Sequence, residues 1–163
     1  MGRRSTKENK NIYQQSRENK GLSREGAEEI LSFVSADRIE KIESGRSTPH
    51  PDEVLQMEQG YENPELSNYY CTHECPIGMK YVQKAELKEL PQLTVELLST
   101  LHAMEEEQNR LIDISVDGRV NSFERKQFDV ILHNKLAALD RAIRGMRIWI
   151  EHALYTGKMD EAK

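Results

Sequence analysis

Residues 35–54, SADRIEKIESGRSTPHPDEV, contain the signals for one complete short helix and for the start of the next. Ser35 is a residue type that favours the N-terminal cap of a helix, and two isoleucines follow at a spacing of three. Ser44-Gly45 is typical of a helix end. Pro51, followed by two acidic residues, is typical of a first helical turn. The stretch therefore predicts a helix, a connecting loop and a second helix.

The same signals recur on both sides of this stretch. Helices are predicted over residues 12–19, before a Lys-Gly stop, and over residues 23–32, which begin with a serine cap. An Asn-Pro-Glu start predicts a further helix over residues 63–70. Residues 1–10 are polar and charged, which predicts a flexible arm. We therefore expect residues 11–70 to form one small helical domain.

The C-terminal half shows a different pattern, with fewer and longer predicted helices. Residues 71–84 include a proline and a glycine, and predict a Cys-containing linker. Two long helices are expected beyond it, from about residue 87 or 91 to 112 and from 122 to about 155. The second helix carries apolar residues at alternating spacings of four and three, which is a heptad seam: Leu132, Leu136, Leu139, Ile143, Met146 and Ile150.

The two long helices predict an antiparallel helical hairpin over residues 85–158, followed by a tail at 159–163. The fold class expected is all-α. A hairpin alone leaves apolar surface exposed, so we expect it to pack on the first domain or on a second copy, which makes a homodimer through the C-terminal helices a candidate assembly.

Composition excludes several classes of protein. The 163 residues carry a formal net charge of −5, and no apolar run approaches the roughly 20 residues that a membrane span needs. The N-terminus lacks the apolar core of a secretory signal, so a cytoplasmic location is expected. The histidines do not stand at a recognisable spacing from a nucleophile and an acid, and no Gly-rich phosphate loop is present. We expect no enzymatic activity, no cofactor and no small-molecule substrate.

Residues 19–61, NKGLSREGAEEILSFVSADRIEKIESGRSTPHPDEVLQMEQGY, resemble the Cro/repressor-like (XRE-type) helix-turn-helix family of bacterial transcriptional regulators. The resemblance covers residues 11–62, about a third of the chain. The continuation through residue 78 is similar to a narrower bacterial group with a helical C-terminal extension. The resemblance implies a lambda-repressor-like helical bundle that binds double-stranded DNA. It rests on an ordered series of positions: Leu22, Ser23, Leu31, Ile39, Ile42, Glu43 and Gly45.

The resemblance also implies which residues would contact DNA. The helix that follows Ser35 would enter the major groove, and Arg38 would bond to guanine O6 and N7. Residues Arg3, Arg4 and Lys7 of the arm would add contacts to phosphates. The candidate DNA-binding residues are Arg24, Ser35, Ala36, Arg38, Lys41 and Arg46.

Two features of this chain differ from the family pattern. Seven residues separate Leu31 from Ile39, where the usual spacing leaves six. Asp37 and Glu40 would lie near phosphates and repel them, although an acidic residue can also accept a hydrogen bond from cytosine. An alternative function therefore stays open, in which the same scaffold is a protein-interaction module with weak or no DNA binding and with a metal response.

Two stretches contain residue types that bind metals. Cys71, His73 and Cys75 offer thiolate and imidazole ligands of the kind that zinc prefers, but no second cysteine pair completes a set of four. Residues 113–124, DISVDGRVNSFE, place oxygen ligands at the positions of an EF-hand calcium loop: Asp113, Ser115, Asp117, Asn121 and Glu124. We favour the plainer alternatives, which are buried thiols with a surface histidine in the first stretch and a turn with a helix cap in the second.

Overall fold

The computed structural model describes residues 10–160, and all regular secondary structure in that range is helical, which confirms the all-α class. The predicted arm residues Arg3, Arg4 and Lys7 lie outside the described residues. In chain order the helices are α1 Ile12–Asn19, α2 Arg24–Ile30, α3 Ala36–Glu43, α4 Pro51–Tyr61, α5 Glu65–His73, α6 Pro76–Tyr81, α7 Leu90–Glu105, α8 Gln108–Ser115, α9 Ser122–Val130 and α10 Ala137–Tyr155, with the π-helical segment Ile131–Leu136 before α10.

The chain divides into two compact units, Met1–Val82 with Glu151–Lys163, and Gln83–Ile150. Local capping sets the helix boundaries in the first unit. The Ser23 hydroxyl accepts a hydrogen bond from the Gly26 N–H, and Ser35 caps α3 in the same way. Gly45 follows α3 with a φ of 74°, a left-handed conformation that glycine adopts without strain. Both predicted serine caps are therefore confirmed.

The core of the first unit lies among α1 to α5. Apolar side chains from each of these helices, and from the connection between α2 and α3, meet there and are almost completely removed from solvent. Its members are Tyr13, Ala27, Leu31, Val34, Ile39, Ile42, Val54, Met57, Tyr61 and Leu66.

The predicted linker at residues 71–84 is mostly helical instead. Helix α5 continues to His73, and α6 begins at Pro76 with the Cys75 sulfur accepting a hydrogen bond from the Gly78 N–H. A Cβ atom on Gly78 would collide with the backbone of Cys71, so glycine allows α6 to pack closely on α5. The proline and glycine thus start and pack a short helix, and the irregular connection shrinks to residues 82–89.

In the second unit, the predicted first long helix is interrupted. Helix α7 ends at Glu105, two turn residues follow, and α8 begins at Gln108. Residues 105–107 are three consecutive glutamates that directly precede α8, and negative charge is favourable at the amino end of a helix. The apolar periodicity continues across residues 105–107, but the charge of these glutamates favours the start of a new helix at Gln108.

The second long helix is continuous from α9 to α10, but the side predicted to be its core is not the buried one. Leu132, Leu136, Ile143 and Ile150 are between 38% and 41% exposed. The buried side carries Ile131, Ala142, Gly145 and Ile148. A Cβ atom on Gly145 would lie 2.8 Å from Leu93 Cδ2, so small residues on this side let α7 approach closely. Within residues 10–160, no helix combines the length and apolar character needed to cross a membrane.

Candidate functional site

Helix α3 has one apolar side and one polar side. Ile39 and Ile42 are 0% and 2% exposed and anchor the helix in the core. Ser35 and Asp37, at the N-terminal end, are exposed, and Ala36 between them is half-buried. The positions predicted to approach base edges are therefore accessible to a ligand.

Arg38 is held by its own chain. Its Nε and Nη2 atoms donate to the two carboxylate oxygens of Glu53, each at 2.7 Å. Nη1 donates to Ser47 Oγ at 2.6 Å, and Nη2 also donates to the Thr48 carbonyl at 2.9 Å. These four hydrogen bonds use the guanidinium edges that guanine recognition would require.

The partner of Arg38 is a buried carboxylate. The side chain of Glu53 is 10% exposed, against 22% for that of Arg38. Burial opposes ionisation of Glu53, but the hydrogen bonds from Arg38 and from the His50 N–H outweigh it and hold the pKa of Glu53 below its ordinary value. The ion pair therefore stays charged at neutral pH and ties α3 to the start of α4.

Arg24 belongs to a second, more deeply buried ion-pair cluster. The side chain of Glu43 is 1% exposed and accepts from Arg17 Nε at 2.5 Å and Arg17 Nη2 at 2.9 Å. Arg24 Nε donates to the same carboxylate at 2.9 Å. Arg17 also donates to the carbonyl of Leu22. One acid at the end of α3 thus joins α1 and α2 to α3.

Lys41 and Arg46 are paired as well, but at the surface. Lys41 Nζ lies 2.6 Å from Asp37, and the side chains of this pair are 46% and 74% exposed. Arg46 pairs with Glu40. The hydrogen bond from Lys41 lowers the pKa of Asp37. The two acids expected to repel DNA are therefore neutralised by neighbouring cations.

The extra residue between α2 and α3 forms a turn that exposes an aromatic ring. Val34 points into the core at 1% exposure, whereas Phe33 is 56% exposed. The turn is tied to α4 by a hydrogen bond from the Ser32 N–H to Gln56. Ile30, two residues before Ser32, and Leu55, the residue before Gln56, are also exposed. Sequence reasoning missed this apolar surface, although a phenylalanine in a short turn was a signal for it.

The candidate zinc ligands do not converge, and the two thiols are half-buried instead of buried as expected. The Cys75 sulfur caps α6, and the ring of His73 stacks on Tyr69 with centroids 4.3 Å apart. His73 Nδ1 is also within hydrogen-bond distance of the Tyr69 carbonyl. Between residues 10 and 160, no three His, Cys, Asp or Glu side chains are grouped so that they could hold a metal ion.

The predicted calcium loop has a different structure. Asp113 and Ser115 are part of α8, so this end of the stretch is helical and not a loop. Asp117 accepts a hydrogen bond from the Arg119 N–H within a turn. Asn121 and Glu124 form a reciprocal capping box at the start of α9. The side chains of Asp117, Asn121 and Glu124 are used for turn and cap hydrogen bonds, as the plainer alternative predicted.

No protein-family model matches the chain, and no significant similarity to a curated protein or to a solved structure was found.

Proposed function

We propose that this chain is a transcriptional regulator that binds double-stranded DNA through α2 and α3 as a helix-turn-helix. The observation that carries the proposal is the two-sided character of α3. Its apolar side is buried and braced by Arg38 and Glu43, while Ser35, Lys41 and the following Arg46 are exposed. A rigid helix with an accessible polar side is what major-groove recognition requires.

The ion pairs of this region favour different roles for Lys41, Arg46 and Arg38. Exposed ion pairs are worth at most about 1 kcal/mol, so a phosphate can replace Asp37 at Lys41 and Glu40 at Arg46. We assign Lys41 and Arg46 to phosphate contacts and Ser35 and Ala36 to base edges. Arg38 positions the helix instead of reading a base.

The test measures how strongly DNA binding depends on Lys41 and Arg46. Lys41→Ala and Arg46→Ala should each weaken binding to all duplexes and make the salt dependence shallower by about one phosphate contact. Lys20→Ala is the matched control, because Lys20 forms an exposed pair with Glu62 at the end of α1. Genomic fragments should be recovered by the wild-type chain at low salt. Failure to enrich any sequence there would contradict the proposal.

A second candidate function is a protein-interaction module, and the exposed surface around Phe33 favours it. Ile30, Phe33 and Leu55 are apolar and exposed, and three exposed glutamates lie on α2, at positions 25, 28 and 29. An exposed apolar surface with an acidic neighbourhood suits a basic protein partner better than DNA. Phe33→Ser should leave DNA binding unchanged under the first function and weaken the partner complex under the second.

A further inference from the structure

Helix α10, with the last residue of the π-helical segment before it, carries an apolar seam that is partly exposed to solvent. The seam consists of Leu136, Leu139, Ile143, Met146 and Ile150, at spacings of three and four. Leu136, Ile143 and Ile150 are 38–40% exposed, and the other two are half-buried. Because these residues share one side of the helix over four turns, they form a continuous stripe beside the buried side.

The heptad positions of the seam residues suit packing against a second helix. Ile143 and Ile150 occupy equivalent heptad positions, and Leu139 and Met146 occupy the other seam position. Apolar residues repeated at these two heptad positions are the pattern through which two helices pack side by side. The seam therefore fits another helix of similar pattern.

The charges beside the seam select the partner and its direction. Asp140 and Arg147 lie on one flank, two turns apart, whereas Ala142 on the other flank is buried within the chain. In an antiparallel pair centred between Ile143 and Met146, each Asp140 faces the other copy's Arg147. In a parallel pair, this flank would face the opposite flank of the other copy, so Asp140 and Arg147 would not meet.

We infer that α10 is the contact between two copies of this chain, packed antiparallel about a two-fold axis between Ile143 and Met146. A two-fold contact of this kind is self-complementary, as isologous dimers require. The seam is only about 20 Å long at 1.5 Å per residue. Stable interfaces bury about 800 Å² per partner, so a contact this small predicts a dissociation constant in the micromolar range. The inference does not rest on DNA binding.

Sedimentation velocity of the full chain, over about 1 to 100 μM, tests the association. The wild type should change from monomer to dimer across this range. Ile143→Glu should weaken dimerisation at least about tenfold, because a carboxylate enters the centre of the seam. Val95→Glu is the control, since Val95 is 67% exposed on α7 and lies outside the seam. A wild-type chain that stays monomeric throughout overturns the inference.

Charge reversal tests the antiparallel geometry. Asp140→Arg and Arg147→Asp should each weaken the dimer by roughly fivefold to tenfold, and the double variant should restore it to within about twofold. Asp140 also pairs with Arg144 in its own helix at 3.0 Å, so helix content is compared by circular dichroism. Restoration by the double variant supports the antiparallel pair. A dimer that is indifferent to both single reversals, or is not restored by the double one, contradicts it.

Discussion

Replacing Arg38 distinguishes two possible roles of this residue, which are bracing α3 and reading a DNA base. Arg38→Ala removes four hydrogen bonds, two of them to the buried carboxylate of Glu53. If Arg38 braces the helix, the change lowers the stability of the first unit. If it only reads a base, stability is unaffected and one base preference is lost.

The size of the effect follows from the surroundings of the pair. Removing one partner of a fully buried ion pair costs about 3 to 5 kcal/mol. Here the Arg38 side chain is 22% exposed, and Glu53 keeps a 2.7 Å hydrogen bond from the His50 N–H. Water and that N–H offset part of the loss, so we expect a decrease of about 2 to 3 kcal/mol in the free energy of unfolding.

Urea denaturation followed by circular dichroism measures this loss. Lys41→Ala is the matched control, because it removes a cation from the same helix whose ion pair is exposed, and it should cost at most about 1 kcal/mol. A double-mutant cycle with Glu53→Gln isolates the pair itself. We expect the two substitutions together to cost less than the sum of their separate effects, since either one breaks the same contact.

The effect of Arg38→Ala should also depend on pH. The pKa of Glu53 is lowered in the folded chain, so the pair stabilises the fold above the ordinary glutamate pKa of 4.5 and loses this effect as the pH falls through the lowered value. The gap between wild type and variant should therefore be full at neutral pH and close in acid. Equal stability of the two chains at pH 7 would refute the bracing role.

Three further perturbations follow from the structure. Gly78→Ala should lower the free energy of unfolding by roughly 2 kcal/mol or more, because the added Cβ would collide with the Cys71 backbone. Gly26→Ala is the control in the same denaturation assay. Its Cβ would make only ordinary contacts, so this change should be neutral or stabilising. Burial raises the pKa of Glu74, so Glu74→Gln, which can still accept from the Tyr13 hydroxyl, should stabilise the chain at neutral pH and lose that advantage as acid protonates the carboxyl. Zinc, calcium or a chelator should leave the thermal unfolding midpoint unchanged, whereas a site saturated at a hundred times its dissociation constant would add about 2.7 kcal/mol.

The sequence by itself determined helices α1 to α5, because their signals are local. The side chains of Ser23 and Ser35 cap backbone groups only three residues away, and Gly45 and Pro51 act through their own backbone angles. The turn and cap at residues 117–124 were predictable for the same reason. Each of these features depends on a few neighbouring residues, which a single sequence displays in full.

Only the tertiary structure decided which cations are available and which apolar stripe is buried. Arg38 and Glu53 are 15 residues apart, and Arg17 and Glu43 are 26 apart, so their pairing depends on how the helices pack. From sequence, Arg38 was expected to bond to guanine. The residues around it contain no sign of a partner 15 positions away. In the second long helix, the periodicity showed an apolar stripe but could not tell a side that packs within the chain from a side that stays partly exposed. Close packing decides which side is buried. Gly145 has no side chain and leaves room for Leu93, whereas the larger side chains of the seam stay partly exposed.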